Sequence, residues 1–160
     1  VFTETSGTLL RNVECTDGSR GEENIPVVPK FGGKNDPFWE GVFHVSPVAA
    51  HLYDGAGNLH NPIHISPKFA KGVGLPGAIV HGTYTLSVAV REVLNRLCGG
   101  DPMRLKTGSC RFTGMVMPDS DITVRIRGTD PGENLTNVFF EVINAEGRKA
   151  VSYGHAVIAN

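Results

Sequence analysis

Between Gly82 and the pair Gly99-Gly100 the chain carries its one strongly periodic stretch. Leu86, Val90, Val93 and Leu97 recur on one face of a helix, and Ala89 and Leu94 widen the stripe. The small residues Ser87 and Ala89, with no charge before Arg91, extend the apolar surface, so the first half of this helix is expected to be buried almost all round. The spacing predicts residues 83–98 as the longest helix, and such a helix needs a wrapping layer.

The rest of the chain supplies one. From Met103 onward, β-like runs at 103–117, 120–127, 135–144 and 149–159 are separated by Pro118-Asp119-Ser120, Asp130-Pro131-Gly132 and Ala145-Glu146-Gly147, each a recognisable turn chemistry. Ile122, Val124 and Ile126 alternate with Thr123, Arg125 and Arg127, the pattern of a sheet with one covered face. These four runs predict an antiparallel meander, and Phe38–Val45 adds a fifth strand. The fold class is α+β, with an antiparallel sheet wrapped around one long central helix.

Upstream, a β-like run around Thr8 to Val13 is followed over residues 19–37 by Gly, Pro, Asn and charges, too polar for either period. This divides the chain into residues 1–37, an N-terminal strand and linker or the end of a preceding unit, and a domain over residues 38–160. Ser46-Pro47 opens a short helix ended by Gly55 and Gly57, and Ser66-Pro67 opens a second, PKFAKGVG, closed by Gly72 and Gly74. A chain that begins with Val is expected to be processed or to be a piece of something longer.

Charge and cysteine usage narrow the function classes. A net charge of -1 and a pI near 6.6 give no electrostatic footprint for nucleic acid or for an anionic membrane. Cys15, Cys98 and Cys110 lack CxxC or CxxH spacing, which points to a reducing compartment, the cytoplasm, rather than to a disulfide framework. Cys98, near the end of the long helix, is placed where the helix dipole disfavours a thiolate. Cys110 is expected in the core.

Three of the six histidines, His60, His64 and His81, fall within residues 57–87. His64 lies in an alternating NPIHIS segment, where a hydrogen-bonded structural role competes with catalysis. Asn61-Pro62 reads equally as a turn signal, and Ser87 as a small residue that lets the helix pack. Gly82 at the helix entrance exposes free N–H groups at a positive helix end. His60 and His64 cannot share a metal on one helix because Pro62 lies between them, so no metal and no cofactor is expected.

The segment NPIH, followed by a short helix and then by LPGAIVHGTYTLS, resembles the MaoC-like branch of the hot-dog fold. That branch includes (R)-specific enoyl-CoA hydratases and the dehydratase regions of fatty-acid synthases. The likeness covers residues 38–160 in order of elements and residues 53–90 in detail. In the family, an Asp and a His of a GDxNPxH segment activate water or carry a proton. The Gly of a later HG binds the thioester oxygen through its N–H, and a Ser five positions on fixes the catalytic loop. The resemblance therefore implies Asn61 and His64 in the first motif, and His81, Gly82 and Ser87 in the second.

The motif Asp does not carry over. Leu59 stands in its place, and Asn58 reaches that place only if one residue is inserted. Neither can carry a proton. Asp54 and His60 are the nearby titratable substitutes, although spacing alone puts neither in the site. The resemblance implies a lyase that hydrates 2-enoyl thioesters or dehydrates 3-hydroxyacyl thioesters, carried on CoA or acyl-carrier protein. The alternatives are an impaired hot-dog subunit that binds acyl thioesters or serves as a structural partner, and a hot-dog thioesterase. Arg104, Arg111, Arg125 and Arg127 could meet the carrier's phosphates or be merely solvated. A homodimer, or a second hot-dog unit on the same precursor, is expected to cover the helix's remaining sides. His64 and the N–H of Gly82 are expected to face one cleft.

Overall fold

The computed structural model describes residues 3–8, 13, 14, 16, 18, 27–33 and 37–160. Residues 9–12 of the expected strand around Thr8 to Val13, Cys15 and most of the 19–37 linker lie outside them. Five strands, β1 (Trp39–Val45), β2 (Leu105–Phe112), β3 (Ser120–Pro131), β4 (Leu135–Ile143) and β5 (Lys149–Ala159), form one antiparallel sheet in the order β1-β3-β4-β5-β2. Before and beside it lie four helices: α1 (Ala49–Gly57), α2 (Pro62–Ile65), α3 (Pro67–Gly72) and α4 (Gly82–Leu97). Among the described residues no helix is long and apolar enough to cross a membrane.

The sheet curls over α4, which packs on β2, β3, β4 and β5. Ile122, Val124 and Ile126 are fully buried on the inner face, as their alternation requires, together with Val138, Phe140 and Val142 of β4. The helix lies in this trough on a face different from the expected one. Its deepest residues are Thr85, Val88, Ala89, Glu92 and Val93, whereas Leu86, Val90, Leu94 and Leu97 are only partly buried. At 3.6 residues per turn this is a rotation of about a quarter turn. Ser87 is exposed, so the first half of the helix is not buried all round. One sheet covers one side of a helix, and periodicity cannot report which side the sheet takes. Glu92 is buried with its carboxylate against Arg91 (2.9 Å) and Arg96 (3.7 Å).

The expected four-strand meander is corrected to three strands. β3, β4 and β5 follow one another, but β2 pairs with β5 at the far edge. Residues 113–119 therefore run across the end of the sheet as a strap, which accounts for the β-like composition continuing to residue 117. The strap is pinned by Thr113 N to Ala150 O (2.9 Å), Asn144 Nδ2 to Met115 O (2.7 Å), Val80 N to Val116 O (2.8 Å) and Asp119 N to Val45 O (2.9 Å). These bonds satisfy backbone groups that a sheet would otherwise pair.

The two short helices differ locally from expectation. Ser46 does not cap α1: its Oγ accepts from Val48 N (3.3 Å) in a turn, and the helix starts at Ala49 and runs through Gly55 to Gly57. NPIHIS is not an extended alternating segment. Asn61 caps a single helical turn with Pro62 at its first position, where the missing N–H is no loss. Ser66 caps α3 as expected, accepting from Phe69 N (3.3 Å).

The outer sheet face carries the strand arginines. Arg127 and Lys149 hold the buried carboxylate of Glu141 at 3.0 and 2.8 Å, and Arg125 pairs with Glu40 at 3.0 Å. Arg104 donates to Ala159 O and Leu97 O, while Arg111 lies over the Tyr153 ring. Phe31 stacks near Phe139 (5.2 Å), which in turn packs on the buried His155. Cys98 is buried and Cys110 half-buried, its thiol pushed up to about 11 by burial, so neither is a nucleophile.

If the inner face carries the fold's stability, Ile126→Ala should destabilise the chain by about 2–5 kcal/mol through transfer loss and cavity. The exposed edge change Val42→Ala should stay within about 0.5 kcal/mol. Urea unfolding followed by circular dichroism reads both.

Candidate active site

The loop after α1 and the start of α4 meet at one place because a clasp holds them. His64 Nδ1 donates to Ile79 O (2.8 Å), and Ile79 N donates back to Ile63 O (3.2 Å). A carbonyl can only accept, so Nδ1 carries the hydrogen and Nε2 is left free to exchange a proton. Three residues beyond Ile79, α4 begins without any side-chain cap. Its first N–H groups stand at the positive end of a 16-residue helix, the arrangement that binds developing negative charge.

His64, His81, Gly82, Asn61, Thr83, Leu59 and Phe112 line one pocket of about 360 Å³. The expected cleft containing His64 and Gly82 is therefore present. Phe112 reaches over Gly82: a Cβ at this position would lie 2.7 Å from the ring, so only glycine lets the aromatic wall close against the helix start. Leu59, one of the two residues considered for the motif carboxylate's place, contributes an apolar wall.

Behind the pocket is a carboxylate that the motif did not announce. Asp54, in the last turn of α1, is 4% exposed. Its Oδ1 accepts from Asn61 N (3.3 Å) and lies 3.4 Å from His81 Nε2, an ion-pair distance rather than a formed hydrogen bond. The His81 ring stacks on His64 with centroids 3.6 Å apart and planes 27° apart, and Tyr53 packs against it at 5.1 Å. Both ring nitrogens of His81 are buried without a hydrogen bond. Burial and the neighbouring His64 ring push the His81 pKa below the usual histidine range, against the pull of Asp54.

The remaining candidates lie elsewhere or act locally. Asn58 is the left-handed C-cap of α1, exposed, with its Oδ1 on the exposed His60 Nε2, and it does not line the pocket. His60 reaches Asp54 Oδ2 only at 3.9 Å. Asn61 lines the pocket but uses its Oδ1 as the N-cap of α2, accepting from Ile63 N (3.4 Å). Ser87 Oγ donates to Tyr84 O (2.7 Å) within α4 and is outside the pocket lining. Among the described residues no cluster of three or more His, Cys, Asp and Glu could hold a metal ion.

Comparison with known proteins agrees with this architecture. Residues 37–152 match the family described as "MaoC like domain". The chain is 31% identical over 159 residues to the probable enoyl-CoA hydratase 2 of Dictyostelium discoideum, covering 99% of this chain and 52% of that protein. It is 31% identical over 169 residues to the peroxisomal multifunctional enzyme type 2 of Drosophila melanogaster, covering 96% and 26%. The crystal structure of a MaoC-like dehydratase from Phytophthora capsici superposes with a TM-score of 0.74 at 31% identity, covering 84% of this chain and 44% of that one. The chain thus spans about half the length of the first relative and about a quarter of the second.

The two buried histidines make stability depend on pH. His81 and His155 are held below the usual histidine value of 6.5 by burial, so on acidification the unfolded chain takes up protons before the folded one does. Stability is full above about pH 6.5 and falls as pH drops through that value toward the folded pKa values. Urea midpoints at about pH 7.5 and 5.5 should differ in that sense. His81→Gln and His155→Gln should each narrow the difference.

Proposed function

Because the chain belongs to the MaoC-like domain family, we propose that it hydrates 2-enoyl thioesters and, in reverse, dehydrates 3-hydroxyacyl thioesters carried on CoA or acyl-carrier protein. The observation that carries this is one pocket lined by both His64, with Nε2 free, and Gly82 at an uncapped helix start. Hydration adds hydroxide at C3 and a proton at C2, with negative charge gathering on the thioester oxygen between the two events. The Gly82 N–H and the α4 dipole stabilise that oxygen. His64 Nε2 carries one of the protons. Leu59 and Phe112 give the acyl chain apolar walls, with Thr83 beside Gly82. Asn61 shapes the His64 turn, and His81 backs the pocket.

Leu59 supports a second function, that of an impaired hot-dog subunit that binds acyl thioesters without turning them over. Incubation with crotonyl-CoA, followed by loss of the enoyl absorbance, separates the two. Turnover should fall by about 10²–10⁴-fold in His64→Ala. Binding of crotonyl-CoA with no absorbance change would favour the impaired subunit, and release of free CoA thiol would favour a thioesterase.

We also propose that residues 38–160 form the hot-dog domain and that a second hot-dog unit covers it, in a homodimer or on the same precursor. Both edges of the sheet, β1 and β2, and the partly buried Leu86, Val90 and Leu94 of α4 support this. Sedimentation of the 160-residue chain should show a dimer, and a fully folded monomer would exclude a homodimer. For location, cysteine usage supports the cytoplasm, whereas the Drosophila relative is named as peroxisomal.

A further inference from the structure

We infer that His81, held by Asp54, is the second proton-transfer residue of this site and stands in for the motif carboxylate that Leu59 and Asn58 do not supply. The inference rests on the hydratase function proposed for the same pocket. Hydration needs two proton-transfer events at different carbons, and His64 is one group. His81 is the other titratable side chain lining the pocket, and it is stacked on His64 at 3.6 Å. Its nitrogens have no hydrogen bond in the protein, although buried imidazoles normally find partners. The Asp54 carboxylate, which can only accept, faces Nε2 at 3.4 Å and favours hydrogen there, leaving the lone pair on Nδ1. Nδ1 is buried, so the reacting water that would partner it has to enter with the substrate.

The surroundings divide the labour. The titratable groups facing His81 are His64 from α2, Asp54 and Tyr53 from α1, and Tyr84 behind Tyr53, while His60 approaches Asp54 from outside. Burial disfavours a charge on His81, so its ring rests neutral and can accept a proton. In hydration, His81 Nδ1 takes a proton from water as the oxygen bonds to C3, and Asp54 stabilises the resulting imidazolium. The C2–C3 π pair moves onto the thioester oxygen at Gly82. It then returns to bond C2 to a proton that His64 Nε2, having taken it up from solvent before the addition, now releases. One proton has entered the pair and one has left, and exchange between His81 and His64 through solvent restores the starting state. Asp54 is a positioning residue, acting through His81.

The test measures kcat and KM on crotonyl-CoA against pH for wild type, His81→Gln, Asp54→Asn, Asp54→Glu and His64→Gln. His81→Gln should lower kcat by about 10²–10⁴-fold with KM within a few-fold. Asp54→Asn should lower kcat less and move the acid limb of the profile to lower pH, and Asp54→Glu should restore part of both. A purely structural role would lower thermal stability and leave the acid limb in place, which overturns the inference. Wild-type kcat in His81→Gln together with loss in His64→Gln would overturn it while leaving the hydratase function standing. No turnover by wild type would overturn both. Should His81→Gln fail to fold, ¹⁵N-histidine spectra of the wild type with 3-hydroxybutyryl-CoA decide instead. A ligand-induced shift at His81 Nδ1 is expected, and an unchanged signal overturns the inference.

Discussion

The two hydrogen bonds between residues 63–64 and Ile79 fix what this pocket can do. One sets the tautomer of His64 and the other sets its distance from the chain entering α4, so the His64 ring and the uncapped start of α4 are positioned by the same few atoms. Without the clasp, α2 is a single turn of four residues, too short to hold its own geometry. The stack of His81 on His64 follows from it, since His81 is two residues beyond Ile79 and enters the same space.

Much of this was legible in the sequence, and the exceptions share a cause. The long helix and the five strand segments were visible because each has a local period that survives in any surroundings. His64 and Gly82 were legible because two short motifs with a stated chemistry stood at a suitable distance. The face of α4 that meets the sheet was not, because Val88 and Leu86 are equally apolar and only the trough decides between them. The four residues of α2 fit a helix and an alternating strand alike. The place of β2 depends on a strap that crosses the sheet end, and strand composition holds no record of order.

Asp54 shows the limit most clearly. Its local sequence, LYDGAG, reads as a polar position before a pair of glycines, and nothing nearby marks it as buried. Its burial comes from the return of the chain through Asn61 and from the arrival of His81, 27 residues later in sequence. The only sequence signal was indirect: a proton-transfer motif missing its carboxylate invites a search for another acid within reach. A carboxylate behind the histidine is placed to support an imidazole, as proposed above, and not to meet a ligand directly. The apolar Leu59 then stands where a charge would have drawn water in.

The strap of residues 113–119 has a kinetic consequence. It is bonded to β1 at Val45, to the turn after β4 through Asn144, to β5 at Ala150 and to the segment entering α4 at Val80. These contacts join parts of the chain up to about 75 residues apart, so their closure entropy must be met before they contribute. α4 can form early from local contacts, yet the approach to its N-terminus stays unanchored until both ends of the sheet are in place. Helical signal during refolding would therefore run ahead of the closing of the pocket, and a nascent chain halted before β5 would carry His64, His81 and Gly82 without a site.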